Sequence, residues 1–169
     1  MLSTVLRSQT ALRALHTSTV LRNQKWSQLT NILASEIPPP VQVKSITTAG
    51  LLLHDGRLLP SACIFLEGEV LLWDVPPTLW KGWDESTFEI FDAVVPKPEI
   101  LLVGTGKSVN PLPSPLRQYL NKLGIQVDVM DSWNACTTYN LLSEEGRRVA
   151  AALLPLQHRP WKTTPSSPP

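Results

Sequence analysis

The chain has 169 residues, 43% of them hydrophobic and 17% charged, which is the make-up of one ordinary globular domain and excludes a fibrous or wholly disordered protein. Its formal charge of +1 is unevenly spread: Arg7, Arg13, Arg22 and Lys25 all precede the first acid, Glu36, which leaves 11 cations against 14 acids, a net −3, in the remainder. A mildly acidic body excludes a nucleic-acid-tracking domain, which needs Lys and Arg clustered on the fold itself.

Residues 1–25, MLSTVLRSQTALRALHTSTVLRNQK, are rich in Arg, Ser, Thr, Leu and Ala and carry no carboxylate, the composition of a mitochondrial transit peptide. Coiled as a helix, Leu2, Val5, Leu6 and Leu12 share an apolar side, while Arg7 and Arg13 supply charge for import driven by the membrane potential. Cleavage is expected after Leu15 or a little later. A secretory signal would need an unbroken apolar stretch of about 7–15 residues, which Arg, Gln and Thr interrupt. No later run reaches the roughly 18 apolar residues of a transmembrane helix, so any membrane association is expected to be peripheral. Residues 26–40 read as a linker stiffened by Pro38-Pro39-Pro40, because consecutive prolines favour polyproline II.

A single α/β domain is expected over 41–157. Val43, Ile46, Leu51–Leu53 and Cys63–Leu66 are short apolar stretches separated by the turn signals Asp55-Gly56 and Glu67-Gly68, the pattern of a small antiparallel meander. Glu69–Trp73 reads as a further strand, closed by Asp74 and Pro76-Pro77. Asp84 then caps a short helix that carries Phe88, Phe91 and Val95 on one side and ends before Pro96. Ile100–Val103, preceded by Glu99, is a continuous apolar run typical of a strand buried on both faces, and Gly104-Thr105-Gly106 ends it. Ser114-Pro115 starts a helix with Leu116, Tyr119, Leu120 and Leu123 on one face and Gly124 as its stop. Ile125–Met130 resumes a strand. A final helix is expected to begin between Asn134 and Thr138 and to end before Pro155, with Tyr139, Leu142, Val149, Ala150 and Leu153 on one stripe and a Glu144–Arg148 ion pair one turn apart. Strand–helix–strand–helix implies right-handed crossovers and a mixed sheet covered by helices. The Pro/Ser-rich tail, 158–169, is expected to be disordered.

Few residues suggest chemistry. The turn Gly104-Thr105-Gly106-Lys107-Ser108 follows a strand, as a phosphate loop does, but a Walker loop needs a glycine where Leu101 stands, and a dinucleotide fingerprint needs glycine or alanine at Val109. Pro111, Pro113 and Pro115 also delay the next helix. His54 and His158 have no evident partner. Cys63 and Cys136 lack metal-ligand spacing and read as free thiols; Cys136, at a helix start, reads as structural before it reads as a nucleophile. Asp128 and Asp131 read as strand-end and helix-cap residues. No catalytic, cofactor or metal site is therefore expected. The loop tryptophans, Trp80, Trp83 and Trp133, are either anchors for another protein or covers over core edges.

The segments Pro98–Gly106, Leu116-Arg117, Gly124-Ile125, Val129-Met130-Asp131, Asn134-Ala135-Cys136 and Thr138–Pro155 together resemble the small α/β family that includes mitochondrial complex I (NADH:ubiquinone oxidoreductase) assembly factor three. The resemblance spans about Val41 to Pro155, with Ser61–Leu66 and the Trp73 strand carrying it in the first half. It implies a three-layer α/β domain without a recognised catalytic site, and a role in building the hydrophilic arm of complex I. It also implies that Gly104, Gly106, Arg117, Asp131, Asn140 and Arg147 form the framework and surface of a common cleft. Ser132-Trp133 and Lys107-Ser108 depart from the family pattern. The expected protein is a matrix assembly factor, peripheral to the inner membrane, whose partners are complex I subunits and other complex I assembly factors. Its expected contact residues are Trp80, Trp83, Gly104, Gly106, Lys107, Arg117, Trp133 and Arg147. The rival expectation is a nucleotide- or small-molecule-binding enzyme using Gly104–Ser108, with Lys107 and Arg117 as anion contacts.

Overall fold

The computed structural model describes residues 39–159 and 161; the transit-peptide segment 1–25, the linker up to residue 38 and most of the 158–169 tail lie outside the described residues. The meander is present as β1 (Val43–Thr47), β2 (Gly50–Leu53) and β3 (Leu58–Leu59), an antiparallel sheet in sequence order. Asp55 shapes the second turn by accepting from the Arg57 amide at 2.9 Å. Gly50 serves the first: a Cβ there would stand 2.2 Å from the Leu59 carbonyl oxygen.

A second sheet forms the centre. β4 (Cys63–Leu66) and β5 (Glu69–Leu72) make a hairpin whose two turn residues, Glu67 and Gly68, have φ of 49° and 79°. Positive φ at both positions matches the turn to the twist of the strands. β6 (Ile100–Gly104), β7 (Gln126–Met130) and β8 (Val149–Leu153) complete the order β5-β4-β8-β6-β7, with β6 parallel to both neighbours and β4 antiparallel to both of its own. The sheet is mixed, as its crossovers require.

Every residue of β4, β6 and β8 is buried, because alternate side chains enter two different cores. Ile64, Leu101, Val103 and Ala152 face Phe88, Phe91, and Leu116 and Leu120 of α2 (Ser114–Lys122). Phe65, Leu102, Ala151 and Leu153 face Ala135, Cys136 and Tyr139 of α3 (Ser132–Glu144), together with Val43, Leu51 and Leu53 of the small sheet. Three layers result. Asp84 caps a 3-10 helix, Glu85–Phe88, by accepting from the Ser86 amide at 3.1 Å, and α1 (Ile90–Ala93) follows. Ser114 is the first residue of α2; the cap position is Pro113.

The final helix differs from the sequence expectation at both ends. It starts at Ser132, where the Asp131 carboxylate accepts from the Trp133 and Asn134 amides at 3.0 Å each. It stops at Gly146, φ 74°, whose amide donates to Ser143 while Arg147 donates to Leu142, so the last carbonyls are satisfied. Val149–Leu153, expected to extend the helix stripe, is β8. Alanine's helix preference is worth only fractions of a kcal/mol per residue, whereas pairing with both β4 and β6 leaves all five residues buried. Ending the helix also dissolves the expected Glu144–Arg148 pair. Arg148 instead reaches Glu99 at 2.7 Å, and Glu144 Oε1 accepts from Gln42 Nε2 at 3.0 Å.

Gly124, φ 81°, ends α2 with the same bond pattern as Gly146, and a Cβ there would meet nothing within 4 Å. Gly124→Ala therefore pays only for its backbone, roughly 1 kcal/mol. Gly50→Ala adds a backbone collision and should cost roughly 3 kcal/mol or more. Denaturant unfolding of the two variants checks this; equal losses would contradict the collision.

Candidate functional site

β6, β7 and β8 point the same way, with β6 in the middle, α2 crossing one face and α3 the other. The chain thus reverses direction across the sheet at the carboxyl ends of β6 and β8, the place where open α/β sheets hold ligands. A cleft of about 180 Å³ lies there, lined by Thr105, Gly106 and Lys107 after β6, by Leu154 and Pro155 after β8, and by Trp83.

The hydrogen bonds of this turn are turned inward. Ser132 Oγ, wholly buried, accepts from the Gly106 amide at 2.8 Å and donates to the Leu154 carbonyl at 2.6 Å. The Ser132 amide donates to the Gly106 carbonyl at 2.9 Å, and the Thr105 amide to Met130 at 3.0 Å. The Thr105 hydroxyl donates to the Ser108 carbonyl at 2.7 Å and accepts from the Asn110 amide at 3.1 Å. Gly104 lets α3 sit this close: a Cβ would stand 2.9 Å from both Leu153 Cδ2 and Ser132 Oγ. A phosphate cradle needs free amides converging on an anion. Here the amides of Thr105 and Gly106 already have partners, and α2 begins only after Pro113.

The expected contact residues fall into different places. Lys107 is exposed beside the cleft, and Trp133, 59% exposed, stands next to Ser132 on α3. Gly104, Gly106 and Arg117 are framework: Arg117 Nη1 donates to the Val127 carbonyl at 3.0 Å, tying α2 to β7. Asn140 is framework too, exchanging bonds of 2.8 and 2.9 Å with both backbone groups of Val43 as a neighbouring strand would. Trp83 is buried and packs edge-on against Trp73 at 5.2 Å. Half-buried Trp80 meets Trp83 at 4.8 Å with a φ of 65°. Neither of these buried indole N–H groups has a protein acceptor. Arg147 is exposed at the opposite end of the sheet, just before β8, on a separate cleft of about 300 Å³ shared with Tyr139, Pro96 and Pro98. The single common cleft implied by the resemblance is thus divided between two ends of the sheet. What sequence reasoning missed is Ser132, whose only signal was its place directly after the capping Asp131.

Burial pushes the Cys136 thiol up to about 12, with the Asp131 charge adding to it, and pushes Cys63 higher still. Neither supplies a thiolate at neutral pH. Among the described residues, no group of three or more His, Cys, Asp or Glu could hold a metal ion, and no helix is long and apolar enough to cross a membrane.

The mixed sheet, with a helical layer on one face and a layer of helix plus small sheet on the other, is similar to a solved structure described as a Mth938-like domain. That structure, from Bordetella pertussis, matches with a TM-score of 0.61 and 26% identity over 73% of this chain and 91% of that one. A Bordetella parapertussis crystal structure matches with a TM-score of 0.61 and 30% identity over 72% and 99%. The chain belongs to the family described as protein of unknown function DUF498/DUF598, whose pattern covers residues 43–154. It is 34% identical over 125 residues to the rat and human proteins named NADH dehydrogenase [ubiquinone] 1 alpha subcomplex assembly factor 3, over 74% of this chain. It spans 66% of the length of those relatives.

Ser132→Ala should strand a buried donor and a buried acceptor together, costing roughly 2–4 kcal/mol in denaturant unfolding. Asp131→Asn tests the adjacent cap. The amides of Asn134 and Trp133, with the Asn134 side chain, hold the Asp131 carboxyl below its ordinary value. A lowered folded value means stability present above about pH 4 and lost as pH falls through the folded value. The stability gap between wild type and Asp131→Asn should therefore close on acidification, and a gap that stays constant to pH 2 would contradict the cap.

Proposed function

We propose that this chain is a mitochondrial assembly factor for respiratory complex I, working by binding rather than by catalysis. The observation that carries the reading is its 34% identity, over 125 residues, to relatives named as complex I assembly factors. The acid-free leader 1–25 supports delivery to the matrix, and on this reading the protein acts there as a peripheral protein of the inner membrane.

On this reading the domain holds partly built complex I subunits, or other complex I assembly factors, through exposed side chains at the ends of the sheet. Lys107 and Trp133 offer a cation and a large apolar plane at one end, and Arg147 a cation at the other. Trp80, in a backbone conformation that costs a non-glycine residue energy, supports a loop completed by a partner. Trp83, Gly104, Gly106 and Arg117 act behind that surface, holding its shape. The rival, a nucleotide-binding enzyme at Gly104–Ser108, is disfavoured because Ser132 and Met130 already occupy the Gly106 and Thr105 amides.

Deleting the gene should remove assembled complex I from native gels while other respiratory complexes persist, and the full chain should restore it. A chain lacking residues 1–25 should fail to restore it. Normal complex I in the deletion strain would sink the reading; saturable thermal stabilisation by a nucleotide, lost in Lys107→Ala, would favour the rival.

A further inference from the structure

The two edges of the central sheet are unlike. β7 exposes Gln126 and Asp128, polar side chains of the kind that discourage further pairing. β5 ends instead in Leu72, 64% exposed. The register fixes what its backbone offers. The two-residue turn makes Leu66 and Glu69 a bonded pair, and the Trp73 amide donates to Ala62 at 3.1 Å, so bonded pairs fall on alternate residues. The backbone groups of Val70 and Leu72 therefore point away from β4, toward an edge that no described strand covers.

Beside this edge runs an open groove of about 550 Å³, formed by Ile64, Leu71, Leu72, Ile90 and Ala93. Ile90, like Leu72, is an exposed large apolar residue. The surroundings are acidic: seven of the chain's 14 acids fall between positions 67 and 97, against two cations, Lys81 and Lys97. Lys97 is already paired with Asp92 at 2.9 Å. Glu89 lines the groove, and Glu69 is exposed on β5 itself. The Tyr119 phenol, raised first by burial and then by the charges of Asp92, Glu85 and Glu89, reports those three carboxylates on one flank.

We infer that β5 is a docking edge for an extended segment of a partner protein that carries both apolar residues and Lys or Arg on the one face it turns to the groove. Such a segment would pair with the outward groups of Val70 and Leu72 and, because alternate side chains of a strand share one face, set its groove-facing apolar side chains against Leu71 and Ile90 and its groove-facing cations against Glu69 and Glu89, on the face of Ile64 and Leu71. Pairing of β5 with the β5 of a second copy would bring two acidic edges together, which opposes that alternative.

The test uses the full chain, isotopically labelled, with a short blocked synthetic peptide in which Val and Lys take turns at every second position with Thr between them, and a control in which every Lys is Glu. The Lys peptide should bind saturably, protect the Val70 and Leu72 amides from hydrogen exchange, and bind more weakly as salt rises. Leu72→Lys and Glu89→Lys, both at exposed positions, should each weaken binding at least about tenfold with the melting temperature unchanged. Equal binding of the Glu peptide, or binding without protection of those two amides, would overturn the inference. Protection of the two amides before any peptide is added would overturn it as well, assigning the edge to a segment of the same chain or to a second copy. None of these readouts depends on respiratory-chain assembly, so this inference and the proposed function can fail separately.

Discussion

The hydroxyl of Ser132 joins the two parallel strand ends to the start of α3. It accepts from the turn after β6, at Gly106, and donates to the residue after β8, at Leu154. Because it is wholly buried, water cannot substitute for it, and each bond carries the desolvation cost of its partner. The clamp needs Gly104, since any side chain there would collide with Ser132, and it needs Asp131 to start the helix on the preceding residue. Sheet, turn and helix are thus held by one small group of residues. The same clamp turns a crevice that the topology makes suitable for a ligand into one whose strand-end amides are already occupied.

Much of the layered build was legible because it rests on local signals that agree with one another. Apolar runs at β4 and β6, positive-φ turns at Glu67-Gly68, and the helix stop at Gly124 each point to the element that forms. The sequence misled at β8, the central strand whose composition is that of a helix. Val149–Leu153, with three consecutive alanines, has the composition of a helix, and only its neighbours β4 and β6 make it a strand. Gly146 was the one local clue, a glycine in the position that ends α2 so plainly at Gly124. The function of Ser132 was illegible for a related reason: a serine after a capping aspartate resembles surface, and its burial depends on two segments 26 and 22 residues away.

The aromatic residues show the same limit from the other side. A tryptophan in a loop can anchor a partner or seal a core, and residue type does not separate the two. Trp73 seals the core, its indole donating to the Thr87 carbonyl at 3.0 Å, and Trp83 packs upon it. Trp80 rests on Trp83 and shields it, with a strained backbone as the cost. Trp133 alone among the candidates is mostly exposed, because the cap at Asp131 aims the first turn of α3 so that Ser132 enters the core and its neighbour faces out.

Among the described residues, the buried polar side chains are Ser61, Thr105 and Ser132, all hydroxyls, and two of them close the glycine turn. Active sites are usually places where burial and neighbouring charge shift acids and bases toward neutral pH. Here burial moves the two cysteines away from it, and the carboxylates that shift do so through local bonds, in a turn at Asp55 and in helix caps at Asp84 and Asp131. The interior is therefore committed to holding three layers together, and the groups left over lie on the outside. They are sorted by place: cation and tryptophan at the carboxyl ends of β6 and β8, arginine at the amino end of β8, acids and an open strand at the β5 edge. Position in the fold therefore decides which polar groups hold the layers together and which remain at the surface.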